Sequence, residues 1–143
     1  MQVLRCDCLH PSCTRCFPLS KEAAPVLEVN ITPWKGCGFA TAKFACWKPE
    51  GEIQAVVVMT PGSNDDGRFY VNVKRWREFA TAHKCALVGC YFADVEPSWV
   101  ETYVDAKRGS GAALLEALRC LGLEGKPLLL WGLSAGCEIY YEF

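Results

Sequence analysis

The sequence predicts an α/β fold, a mostly parallel sheet with flanking helices. Three observations predict it. The apolar runs "IQAVVVMT" (53–60), "CALVGCYFA" (85–93) and "PLLLWG" (127–132) have the near-continuous hydrophobicity of strands covered on both faces. Helical periodicity fills the intervals between them. The last run leads directly into Gly132-Leu133-Ser134-Ala135-Gly136. Strand, helix, strand, helix, strand implies parallel pairing through right-handed crossovers. Ligands of such sheets sit at the carboxyl ends of the strands. Loops 61–68, 94–98 and 132–135 therefore converge on one rim.

The elements follow in chain order. Residues 1–24 read as a polar, cysteine-rich tail. "VLEVNIT" (26–32) is a strand closed by Pro33, and "FATAKFACW" (39–47) is a second, with Pro49-Glu50-Gly51 turning the chain. These two form a hairpin-like start. After the loop "PGSNDDGR", Asn72 can cap a helix through about His83, with Trp76, Phe79, Ala80 and His83 on one stripe. Ser98-Trp99-Val100-Glu101 matches a capping box and predicts a further helix start. Leu114, Ala117, Leu118 and Leu121 mark one face of a helix that Gly122 ends, with Gly109 and Gly111 as breaks from the preceding turns.

Composition excludes several function classes. The chain has 143 residues, 51% of them hydrophobic, and a net charge of −1. That describes one globular domain with no electrostatic footprint for nucleic acid. No apolar run approaches the ~18 residues of a membrane span, and the start lacks the apolar core of a signal peptide.

Ten cysteines need an account. Cys37, Cys46, Cys85, Cys90, Cys120 and Cys137 stand singly in apolar stretches, where cysteine behaves as a small buried hydrophobe. Their spacing is not that of a secreted disulfide scaffold, so a reducing, cytoplasmic setting fits better. Cys6, Cys8, Cys13 and Cys16 crowd one polar segment with His10. Four thiolates can close a tetrahedral zinc site, but no second ligand pair follows at finger spacing. A tail is the expectation, and no metal or cofactor is assigned.

G-x-S-x-G on a strand-to-helix turn is a nucleophile elbow. The turn is so tight that the flanking positions, Gly132 and Gly136, must be small. The strain lifts the Ser134 hydroxyl clear of the sheet, and the following helix directs its amino end at the site. The plainer alternative is a tight turn in which Ser134 merely caps a helix. Acyl transfer also needs two preorganised N–H donors for the developing oxyanion. One is the amide of Ala135. The other falls in the loop after "VVVMT", where Gly62 lets the backbone come close and Ser63 or Asn64 donates. Asp94, ending a strand on the same rim, is a candidate substrate contact. Asp65 and Asp66 are adjacent carboxylates that point apart and are solvated. Gly109-Ser110-Gly111 lacks the preceding strand and following lysine of a phosphate loop.

These residues carry a resemblance. "VVVMTPGSNDDGRF", "ALVGCYFAD", "GSGAALLEAL" and "PLLLWGLSAG" resemble the α/β-hydrolases of the esterase and polyhydroxyalkanoate-depolymerase-like kind, best over residues 53–143. The resemblance implies a truncated α/β-hydrolase fold over 25–143, with strands 1–5 and the elbow, in a sheet of central order 4-3-5. It implies hydrolysis of a small-molecule ester without a metal. Ser134 matches the nucleophile, and Ala135 and the Ser63 region match the oxyanion hole. One departure is Cys137, where related elbows often carry a third glycine.

The family's acid and histidine follow the serine in chain order. Here Glu138 and Glu142 follow Ser134 but no histidine does. His10 belongs to the tail, and His83 is expected at the far end of the first helix. The expectation is a half domain that lacks its base and is inactive by itself. Two other readings stay open. One is a non-catalytic α/β module that binds an acyl ligand or a protein partner at the same rim. The other is a small zinc protein built on the four early cysteines.

Overall fold

The computed structural model describes residues 24–63, 65–95, 101–141 and 143. The early cysteines, His10, Asn64, Ser98 and Glu142 lie outside the described residues, so the tail, the zinc site and the Asn64 donor are not addressed by the fold. Five strands, β1 (Leu27–Ile31), β2 (Thr41–Trp47), β3 (Ala55–Thr60), β4 (Cys85–Ala93) and β5 (Leu128–Gly132), form one sheet in the order β1-β2-β4-β3-β5. β2 is antiparallel to both β1 and β4, while β3 is parallel to β4 and to β5. Only β2 therefore runs against the others. The hairpin-like start is as the sequence predicts, and the central order β4-β3-β5 is the one the resemblance implies.

Alternation along the strands builds two cores. Val56, Val58, Ala86 and Val88 face one side and pack with Leu114, Ala117 and Leu118 of α2 (Ser110–Cys120). Val57, Met59 and Leu87 face the other and pack with Ala80 of α1 (Lys74–Ala82). Val56, Val57, Val58 and Met59 are all fully buried, which is why β3 reads as an unbroken apolar run. Each such side chain contributes roughly 1.5–3 kcal/mol relative to exposure. No helix among the described residues is long and apolar enough to cross a membrane.

Helix ends follow local chemistry with two corrections. Gly122 ends α2 at φ +68°; its amide bonds to Arg119 O at 3.0 Å and that of Leu123 to Leu118 O at 2.8 Å, the paired bonds of a Schellman motif. Asn72 does not cap α1. A 3-10 turn (Gly67–Asn72) precedes the helix, Val73 stands at the N-cap, and the Asn72 Oδ1 instead accepts from Arg77 Nη2 at 2.8 Å. Of the predicted stripe, Ala80 is buried and Trp76 half-buried, whereas Phe79 and His83 are exposed at its edge.

The helix predicted from Ser98, which lies outside the described residues, does not run through Glu101. Glu101 is extended, at φ −65° and ψ 121°, and only short 3-10 turns follow, Thr102–Val104 and Ala106–Arg108. The reason is Asp94. Its Oδ1 accepts from Thr102 N at 2.6 Å, Thr102 Oγ1 at 2.9 Å and Tyr103 N at 3.3 Å. A side chain eight residues upstream thus takes the amides that a helix would have used. Gly109 at φ +113° is the break ahead of α2, while Gly111 lies inside the helix. Cys37, Cys46, Cys85 and Cys90 are buried as expected, but Cys120 is exposed at the last position of α2 and Cys137 is half-buried.

Candidate functional site

The carboxyl ends of β3, β4 and β5 share one rim, because the three strands run the same way. At the end of β5 the chain reverses sharply into a short helix, α3 (Ala135–Glu138). The Leu133 amide donates to Thr60 O at 3.2 Å, the Gly136 amide to Leu133 O at 3.0 Å and the Cys137 amide to Ser134 O at 2.8 Å. Ser134 sits between them at φ +50° and ψ −122°. A non-glycine residue held there costs of order 1–3 kcal/mol and persists only where its surroundings enforce it.

Both flanking glycines are part of that enforcement. A Cβ on Gly132 would stand 2.7 Å from Gly136 O and 2.8 Å from Cys137 N. A Cβ on Gly136 would collide with the carbonyl oxygens of Thr60 and Pro61. Only glycine lets the turn close onto the end of β3. Ser134 occupies the N-cap position of α3, yet its side chain makes no capping hydrogen bond, and the residue is exposed. Ala135, buried beneath it, is the first helical residue, so its amide has no acceptor within the helix.

The loop after β3 arrives at the same place. A Cβ on Gly62 would lie 3.6 Å from Leu133 O and 3.7 Å from Ser134 Cβ. Gly62 and Ser134 are therefore neighbours across the rim, with Ser63 exposed beside them. Asp65 and Asp66 diverge as expected. The Asp65 Oδ1 accepts from the Asp66 amide at 2.8 Å, while the Asp66 carboxylate turns to Arg68. The Arg68 guanidinium holds the Asp66 carboxyl below its ordinary range. Asp94 reaches the rim too, where its Oδ1 holds the 102–104 turn.

One other candidate group lies away from Ser134. His83 is the C-cap of α1, two residues before β4 begins, and its ring rests 4.5 Å from that of Phe79. That is the amino end of the parallel strands, roughly 20 Å from the rim by the rise of a six-residue strand. Glu138 is exposed on α3.

One feature of the site escapes sequence reasoning. Tyr140, in the 3-10 turn Ile139–Tyr141, places its hydroxyl 2.5 Å from Thr60 Oγ1, 3.3 Å from Trp131 O and 3.4 Å from Val58 O. Burial pushes the Tyr140 pKa above the ordinary tyrosine range. The only signal in the sequence is a tyrosine one helical turn beyond the pentapeptide.

No family model and no curated protein matches this sequence. Solved structures do match. An esterase from the hyperthermophilic archaeon Pyrobaculum calidifontis superposes with a TM-score of 0.54 at 19% identity, covering 80% of this chain and 36% of the esterase. FphF, a fluorophosphonate-binding serine hydrolase of Staphylococcus aureus, gives 0.53 at 13%, covering 80% and 49%. The S-formylglutathione hydrolase FrmB of Staphylococcus aureus gives 0.52 at 14%, covering 78% and 48%. The chain thus spans between about a third and a half of the length of these structures. With its sheet order β1-β2-β4-β3-β5 and these neighbours, the described chain has a truncated α/β-hydrolase fold.

Proposed function

We propose that this chain carries the nucleophile and the oxyanion donors of a serine hydrolase acting on a small carboxylic ester. The observation that carries the reading is Ser134, exposed at φ +50° in a turn whose flanking glycines admit no side chain. Such strain is retained where it serves chemistry, and a strand-to-helix turn of this kind is the nucleophile elbow.

In this reading Ser134 Oγ attacks the ester carbonyl while a base takes its proton. The carbonyl oxygen becomes the oxyanion, held by the Ala135 amide and an amide of Ser63 or Asn64. Collapse expels the alcohol, which takes the proton from the base, and leaves an acyl group on Ser134. Water, deprotonated by the same base, then releases the acid. His83 stands at the wrong edge of the sheet to be that base. No other histidine stands among the described residues, so the base and its orienting carboxylate are not assigned to a described residue.

The test is labelling of the full-length protein with a fluorophosphonate probe and peptide mapping of the adduct. Modification at Ser134, with loss of both adduct and aryl-ester turnover in Ser134→Ala, supports the reading. Ligand binding at the rim without labelling would favour a non-catalytic module.

A further inference from the structure

We propose that the Asp66–Arg68 pair is a positioning device that sets the backbone amides beside Ser134. The inference rests on Ser134 acting as proposed above.

The loop between β3 and the 3-10 turn Gly67–Asn72 is held at both ends. At its start, Thr60 and Pro61 are clamped by the close approach of Gly136. At its far end, Gly67 lies directly on β4. A Cβ on Gly67 would stand 2.7 Å from Cys90 O and 3.0 Å from Met59 O, and a Cβ on Gly89 would collide with Gly67 O. Two glycines facing each other let the chain cross the sheet in contact with it.

Arg68 then locks the crossing. Asp66 Oδ1 accepts from Arg68 N at 3.0 Å and from Arg68 Nε at 2.9 Å, and Asp66 Oδ2 accepts from Arg68 Nη2 at 2.6 Å. One carboxylate thus caps the turn and grips the guanidinium in a planar, two-pronged bond. The same guanidinium lies 5.7 Å over the Tyr91 ring of β4 and 3.9 Å from Glu28 Oε1 of β1. A strap therefore runs from the outer strand, across the sheet, to the residue that ends the loop. Gly62, a few residues back along that loop, is the one set 3.7 Å from Ser134 by its Cβ position.

Asp66 and Arg68 touch no reacting atom in this scheme. Their effect passes through the loop amides, whose value depends on placement: a misplacement near 1 Å can cost on the order of 10²-fold in rate.

The experiment uses the full-length protein with Arg68→Met, Arg68→Lys and Asp66→Asn. It measures kcat and KM on an aryl ester, the melting temperature, and the affinity for an aryl boronic acid, which becomes tetrahedral on the serine and uses the oxyanion donors. Arg68→Met is expected to lower kcat about 10-fold with KM within about twofold, and to weaken boronate binding by the same factor. Arg68→Lys recovers part of both. If Arg68→Met does not fold, Asp66→Asn decides, because asparagine keeps an oxygen for the turn and loses only the charge. Unchanged kcat in a folded variant, or a fall in kcat without a parallel fall in boronate affinity, overturns the proposal. Turnover that survives Ser134→Ala would instead overturn the hydrolase reading itself.

Discussion

The Tyr140 hydroxyl and Thr60 Oγ1 lie 2.5 Å apart beneath the Ser134 turn. Thr60 also accepts the Leu133 amide at 3.2 Å, so one residue at the end of β3 ties down both sides of the turn. Tyr140→Phe leaves the ring in place and removes the bond. We expect a loss of about 1–2 kcal/mol, read as a melting temperature lower by several degrees. Thr60→Val should cost a similar amount, and the double variant less than the sum. Additive losses would show that the two hydroxyls do not interact.

Gly136→Ala adds one methyl group where the carbonyls of Thr60 and Pro61 already stand. Backbone cannot yield as a flexible side chain does, so the turn must open. Overpacking of this kind costs typically 1–3 kcal/mol, and the opening moves Ser134 from its place. The expected result is a lower denaturation midpoint and fluorophosphonate labelling slowed by at least 10-fold. Labelling at the parent rate would mean that the tight turn is not needed for reactivity.

Among the described residues β5 pairs with β3 on one side only, and Leu129 on it is 50% exposed. Leu133, just beyond the strand, is 53% exposed. An apolar strand with a free edge is a template for another chain. The 143 residues expressed alone are therefore expected to self-associate in sedimentation experiments, and Leu129→Lys should reduce it. A monodisperse, cooperatively melting parent chain would contradict this.

The same isolated chain should be nearly inert toward an activated aryl ester. A serine hydroxyl needs a base, and His83, the one histidine among the described residues, stands at the far end of the sheet. Loss of the histidine in a triad enzyme costs on the order of 10⁶ in turnover. Ser134-dependent turnover by the isolated chain near the full-length rate would show that the chain holds its own base.

Stability should fall in alkaline solution. Burial pushes the Cys46 thiol up to about 11 and the Cys90 thiol up to about 12. Exposed by unfolding, each would ionise near its ordinary value of about 8.5. The folded state thus keeps protons that the unfolded state releases, and stability is lost progressively between about pH 9 and pH 12. Urea midpoints at pH 8 and pH 10.5 measure this, and Cys90→Ala should show a shallower decline.

Cys120 is exposed on α2, whereas Cys37, Cys46, Cys85 and Cys90 are buried. Among these five, iodoacetamide should modify Cys120 first in the native protein, with the other four reacting only on unfolding. Peptide mass mapping after brief exposure gives the order directly.

What was legible in the sequence was local. Continuous Val and Met in 55–60 declared a strand covered on both faces, Gly122 ended α2, and Gly132 and Gly136 around Ser134 declared a turn too tight for side chains. These features follow from residue size, backbone freedom and burial, which a short window contains. Tertiary structure decided the rest. Asp94 took the Thr102 and Tyr103 amides, which the predicted helix would have used. Asn72 turned to Arg77 instead of capping α1. Gly67 met Gly89, and Tyr140 met Thr60 across 80 positions of chain. A side-chain hydrogen bond has no period, and it competes with backbone bonds of similar strength. Its partner is chosen only when the sheet has assembled and brought distant residues within reach.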